Sequence, residues 1–329
     1  MSAKALKDLN VLPESERKIE SSSKGSFAKP HIHADENIQE RERKSADSLV
    51  KTPINGNDTV TSVVEVGNSE VEYIESENLN DVEDVDQSFE MLVAGLESKD
   101  WVLLCETLNN VRRLCLFHKE KMEDILGNVI SLVGKSLKNP RSAVCKTAIM
   151  TCTDIFKTYG DHIVDSLDPL LVQLLLKSSQ DKRFVCEAAE RALIAMTTWV
   201  SPNLLLPKLQ PYFKNRNPRI RAKASMCFSR SVPRLGVQGI ITYGIDKLIR
   251  IAASQLSDQL PESREAARTL LLELQTVYDK SHDPTPTTVA EEPEMNSWEQ
   301  FCQINLSPLS AQAVLRVTNI SREGLVMGS

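Results

Sequence analysis

Long apolar runs are missing from this 329-residue sequence, and no stretch approaches the ~18–20 residues needed to span a bilayer. The first thirty residues lack the apolar centre of a secretory leader. Both absences lead to the expectation of a cytoplasmic chain. Cysteine is sparse. Cys105, Cys115, Cys145, Cys152, Cys186, Cys227 and Cys302 are odd in number, and no two have CxxC spacing. Reduced, buried thiols are expected in place of a disulfide framework or a zinc site.

Catalytic signatures are also missing. The chain has no G-x-S-x-G, no phosphate loop, no G-x-G-x-x-G behind a strand and no H-E-x-x-H. His31-Ile32-His33 sits in a polar stretch without a third ligand nearby and reads as an incidental pair. His118 and His162 fall near helix ends, where capping or solvent exposure accounts for them. Glu187 and Glu190 share a helix with Arg183 and Arg191 at spacings that suit surface ion pairs. No enzyme activity, cofactor, metal or small-molecule substrate is expected. Aromatic residues make up only 5% of the chain, too few beside its basic residues for base stacking, so nucleic acid is a disfavoured partner.

What is present is a charge partition. Residues 1–86 carry a net charge of −9, residues 87–280 a net of +7, and residues 281–329 a net of −4. A mildly acidic total thus hides a basic middle, suited to an acidic macromolecular surface. Residues 1–86 are rich in Ser, Asn, Glu and Lys, too polar to offset chain ordering, and are read as a disordered acidic tail. Residues 281–295 read as an acidic, Pro/Thr-rich linker, and residues 296–329 as a short helical tail. That tail either docks on the last helical pair or serves as a partner-binding motif.

Between these ends, residues 87–280 have helical periodicity throughout. Phe89, Leu92, Val93 and Leu96 begin it, and Leu104, Leu108, Val111 and Leu114 continue it. Val144, Ala148, Cys152, Ile155 and Phe156 form one later stripe, and Val185, Ala189, Ala192 and Leu193 another. Asn139-Pro140 and Asn217-Pro218 each read as a cap followed by a first-position proline. Alternating strand patterns are absent from this region. The expected fold is all-α, a solenoid of about six HEAT-type helical pairs.

Similar loop-to-helix junctions recur along this region. They are anchored at Trp101, Arg141, Arg183, Arg219 and Arg264, with separations of 40, 42, 36 and 45 residues. Stacked pairs place equivalent turns along one edge, so these residues should form a row. Arginine at a helix start opposes the macrodipole, which favours a ligand-facing role over a folding one. Lys138, Lys182, Lys214, Arg216, Arg221 and Lys223 would broaden the strip. Arg112 and Arg113 lie deeper in a helix and are assigned to structural ion pairs or the solvated face.

The carrying stretches are Asp100-Trp101, the run Leu108 to Leu114, Asn139-Pro140-Arg141-Ser142-Ala143-Val144, and Asn217-Pro218-Arg219-Ile220-Arg221. In these, residues 87–280 resemble the TOG domains of microtubule regulators, in particular those of CLASP and crescerin proteins. The resemblance implies a paddle of six HEAT-type repeats whose intra-repeat loops grip the tubulin dimer. Matched by position, Trp101 would be the apolar anchor. Arg141, Lys182, Arg183, Arg219 and Arg264 would be the electrostatic contacts, with Asn217 a polar one. The expected partners are soluble tubulin or curved microtubule ends, together with other cytoskeletal regulators. A single such domain with acidic tails and no Ser-x-Ile-Pro motif should bind the lattice weakly. The competing reading is a generic HEAT/armadillo adaptor that binds partners on its concave helix face.

Overall fold

The computed structural model describes residues 73–282 and 297–326, the last of these from residue 320 onward as backbone only. All of them belong to one compact unit, Gly67–Ser329, whereas the unit Met1–Val66 lies outside the described residues. His31, His33 and most of the expected linker lie outside them too.

The helices are α1 (Val85–Glu90), α2 (Leu92–Leu96), α3 (Trp101–Phe117), α4 (Lys119–Met122) and α5 (Leu126–Ser136). Next come α6 (Ser142–Tyr159), α7 (Asp168–Lys177), α8 (Arg183–Trp199), α9 (Pro202–Leu209) and α10 (Pro218–Ser231). The chain closes with α11 (Gly236–Tyr243), α12 (Ile245–Gln255), α13 (Pro261–His282), α14 (Trp298–Asn305) and α15 (Pro308–Val326). No strand occurs among the described residues. Among the described residues, six consecutive helical pairs pack in order: α2 with α3, α5 with α6, α7 with α8, α9 with α10, α12 with α13, and α14 with α15. The second helix of each pair packs on the second helix of the next, so α3, α6, α8, α10, α13 and α15 form one layer. This is the all-α solenoid that the periodicity predicts.

The core runs between the two layers. Leu108, Val111, Leu114, Ile149, Ile155 and Phe156 are wholly buried, each worth ~1.5–3 kcal/mol relative to exposure. Ala188, Ala189 and Ala192 let α8 approach its neighbours closely. Gly160 ends α6 with φ of 48°, and a Cβ there would sit 2.9 Å from the Trp199 carbonyl oxygen. Only glycine meets both demands. The C-terminal pair is part of the same packing. Tyr278 of α13 meets Trp298 and Phe301 of α14 at 5.4 and 4.7 Å between ring centroids, and α15 lies against α12 and α13.

Two local expectations are corrected. The helix after Asn139-Pro140 begins at Ser142, with Arg141 at its cap position, because Arg141 keeps extended backbone (ψ 120°) and its carbonyl, accepting from the Cys145 amide at 3.1 Å, starts the helical ladder. At Asn217-Pro218 the expected arrangement holds, with Asn217 accepting from the Arg219 amide at 3.0 Å. The tail expected to be disordered through residue 86 is ordered from Tyr73. Leu79 is buried, Asp81 meets His118 at 2.8 Å, and Ser76 reaches the side chain of Asp154 on α6.

Six of the seven cysteines are buried, and Cys186 is partly exposed. Burial pushes the thiols of Cys115 and Cys227 up to about 12. Thiolate, the reactive form, is therefore scarce. Iodoacetamide at pH 8 should label the native protein slowly at Cys186 and leave the other six untouched until denaturant is added. Peptide mass mapping reads the sites, and prompt labelling of Cys115 or Cys227 would contradict the packing.

Candidate functional site

At four of the five junctions an Asp or Asn ahead of the helix, Asp100, Asn139, Asn217 or Asp258, accepts from the backbone amide two residues on. Asp100 caps α3 by accepting from the Val102 amide (2.9 Å), and the next residue is Trp101. Trp101 is partly buried against the core, with the Arg141 guanidinium 5.0 Å from its ring centroid. One residue on, Ser142 Oγ accepts from Lys182 Nζ at 3.0 Å. Asp181, beside Lys182, accepts from Arg219 at 2.7 Å, and the same Arg219 Nη1 donates to the Ser179 carbonyl. Arg221 then reaches Asp258 at 2.6 Å, in the turn before α13. The five junctions are therefore joined in space, one to the next, as the ladder predicts.

The row divides the seven sequence-predicted residues by what each side chain does. Trp101, Arg141, Lys182 and Arg219 link neighbouring junctions and keep exposed polar or aromatic surface. Arg183 is highly exposed and holds Glu187 one turn along α8 at 2.7 Å, a contact that raises its pKa through the hydrogen bond and the opposite charge. Exposed pairs of this kind are screened by solvent and contribute little, so an acidic partner can displace Glu187 at small cost. Asn217 has its amide oxygen occupied by the cap. Arg264 sits in the second turn of α13, which begins at Pro261, and donates to the carbonyls of Asp258 and Gln259 at 2.8 and 2.9 Å. It shapes its own loop.

Of the residues expected to broaden the strip, Lys138, Lys214 and Arg216 are exposed. Two others are committed elsewhere. Arg221 is largely enclosed with Asp258, and Lys223 pairs with Glu190 across α8 and α10 at 2.5 Å.

Sequence reasoning missed the apolar part of this edge. Phe184, in the first turn of α8, is 43% exposed and has Lys146 Nζ 5.9 Å from its ring, while Val102 and Leu103 are exposed beside Trp101. The signal was available, since Phe184 falls outside the Val185, Ala189, Ala192 stripe that α8 buries. No metal-binding group of side chains occurs among the described residues. It is a cationic and aromatic edge on rigid helix starts, suited to binding an acidic surface.

Known proteins share both sequence and fold with this chain. A family model described as CLASP N terminal matches residues 110–284. TOG array regulator of axonemal microtubules protein 1 of Homo sapiens is 32% identical over 107 residues, which are 32% of this chain and 6% of that protein. Its Mus musculus counterpart matches with the same identity and coverage. Among solved structures, a chain from work on microtubule plus-end tracking by XMAP215, CLIP-170 and EB1 aligns with a TM-score of 0.53 and 16% identity, over 73% of this chain and 94% of its own. The TOG domain of C. elegans Zyg9 aligns with a TM-score of 0.51 and 14% identity, over 75% of this chain and 91% of its own.

Proposed function

The chain belongs to the CLASP N-terminal family, and on that footing we propose that it is a non-catalytic module that binds the tubulin dimer along the junction row and regulates microtubules. The observation that carries this reading is the unbroken linkage of the junctions, from the Trp101–Arg141 stack through Ser142–Lys182 to Asp181–Arg219. Trp101, with Phe184 as a second apolar contact, supplies the anchor. Arg141, Lys182, Arg183 and Arg219 supply the charge, while Asn217 and Arg264 hold the loops. The 32% identical relatives, named as regulators of axonemal microtubules, support the same partner. Binding takes place in the cytoplasm, on free tubulin or at microtubule ends, where other cytoskeletal regulators also gather.

Mixed with tubulin at micromolar concentration, the full chain should co-elute with it on gel filtration in low salt. The complex should weaken as salt rises from about 50 to 300 mM, because exposed cations contribute through screened attraction. A full chain that elutes unshifted at low salt would sink the proposal.

A further inference from the structure

Between the first helices of the fourth and fifth pairs lies an open cleft of about 690 Å³, a size within the range of ligand-binding sites. Its walls are the turn Gln210–Lys214 behind α9 and the second half of α12. The loop residues Ser257, Asp258 and Gln259 complete the lining. Arg264 holds this loop by the Asp258 and Gln259 carbonyls, and Arg221 of the fourth junction reaches the Asp258 side chain. The cleft is therefore continuous with the junction row.

Its free charge has one sign. The lining cations are Lys214, Arg221 and Arg250, and Asp258 is the one carboxylate among the lining residues. That carboxylate is already neutralised, being 7% exposed with Arg221 Nε 2.6 Å away. Lys214 is exposed and takes part in no ion pair among the described residues. Arg250 donates Nε and Nη2 to Asn305 at 3.1 and 3.2 Å, which leaves Nη1 without a partner among the described residues. Its pair with Asp246, at 3.8 Å between exposed side chains, is screened and contributes little. An ammonium and a guanidinium group with no free carboxylate beside them select an anion. Nucleic acid fits poorly. Phe213 is the one aromatic residue of the lining, and it is partly buried, edge-on to Phe228 at 5.1 Å. Bases would find no stacking platform there.

We infer that this cleft takes an extended, carboxylate-rich segment of the protein that the junction row holds. The identity of that protein rests on the function proposed for the row, whereas the preference for carboxylates rests on the cleft alone. The partner is then gripped at two places, by the aromatic anchor at Trp101 and by an acidic segment drawn in beside the fifth junction.

The test uses the full chain and a rhodamine-labelled peptide of eight glutamates, read by fluorescence anisotropy in about 50 mM salt. Saturable binding is expected, weakened about tenfold or more by Lys214→Glu with Arg250→Gln. A peptide of eight glutamines should not bind. The charge-matched control is Lys157→Glu with Arg191→Gln. Both residues are exposed in the furrow beside residues 73–79, a strap that Arg112 and Asp154 hold across α3 and α6. This control should alter peptide binding less than about twofold. Lys214→Glu alone leaves the Arg250–Asn305 contact in place and should still weaken binding about threefold, which covers a double variant that melts early. The cleft variants should weaken the tubulin complex about threefold or more as well. Four results would overturn the inference. One is no saturable peptide binding below about 1 mM. Another is an equal loss in the charge-matched control, which would mean diffuse attraction in place of a site. The third is displacement of the peptide by an eight-nucleotide single strand at far lower concentration than by unlabelled peptide, which would make nucleic acid the occupant. The fourth is a tubulin affinity that the cleft variants leave unchanged. Tubulin that fails to co-elute with the unvaried chain would instead sink the function proposed for the row, and the peptide titration contains no tubulin, so the two failures are distinct.

Discussion

Replacing Asp154 by alanine should destabilise the protein by roughly 3–5 kcal/mol, the cost of leaving a buried charge without its partner. Asp154 is fully buried and Arg112 is 1% exposed, with Arg112 Nε 2.7 Å from the carboxylate. The other guanidinium donors go to the Ile74 carbonyl at 2.8 Å, to Asn109 at 3.1 Å and to Ser76, whose hydroxyl donates to Asp154 at 2.6 Å. Removing the carboxylate strands the guanidinium in a site water does not reach and releases the strap in the same step. For a helical unit of about 200–250 residues, such a loss lowers the melting temperature by roughly 10 °C. The apolar pair Arg112→Met with Asp154→Leu should recover part of that loss, since two well-packed apolar side chains avoid the stranded charge. It should not restore protection to the amides of residues 74–79, because their anchor is gone. Hydrogen exchange separates these effects. A single Asp154→Ala variant that melts within about 1 kcal/mol of the parent would contradict the buried pair.

The same network shows where the sequence was legible. Period-3.6 stripes such as Leu104, Leu108, Val111 and Leu114 disclosed the helices because burial of one face is a local, repeating requirement. The 40-residue recurrence of the junctions disclosed the row, because stacked pairs repeat their turns. The strap could not be read this way. Its composition is acidic and polar, and its order depends on two buried side chains, Arg112 and Asp154, that lie 42 residues apart on different helices. Nothing in the local pattern separates Arg112, buried with a partner, from Arg113, which reaches Asn110 among the described residues. The division of labour within the row was hidden for a similar reason. Arg141, Arg219 and Arg264 look equivalent by spacing, yet only the structure shows that Arg264 is spent on carbonyls of its own loop. Pro140 differs from Pro218 because Arg141 stays extended and becomes the cap of α6, whereas Asn217 is itself the cap of α10; both Asn side chains accept from the Arg amide two residues on, so the shared Asn-Pro-Arg motif does not encode the difference.

The division of labour leads to the second large effect. Trp101→Ala should weaken tubulin binding by roughly 30-fold, about 2 kcal/mol, the loss expected of an aromatic anchor at the centre of an interface. Part of its ring packs on the core and part faces Arg141, so the truncation also removes the stacking partner that fixes the guanidinium. Arg141→Glu should cost a similar amount, since it reverses a charge facing an acidic surface. The double variant should lose 100-fold or more, yet less than the product of the single losses, because ring and guanidinium centres lie 5.0 Å apart and act together. Arg264→Ala is the informative control. With its guanidinium directed at Asp258 and Gln259, it should change affinity less than threefold, and any loss should track a fall in melting temperature. Fluorescence titration of labelled tubulin gives the affinities, and circular dichroism shows that each variant is folded. If Arg264→Ala weakened binding as much as Trp101→Ala with no loss of stability, the contact surface would lie nearer α13 than the stack. The Trp101–Arg141 stack would then be a folding contact alone, its contribution limited to the ~1 kcal/mol of an exposed cation–π pair.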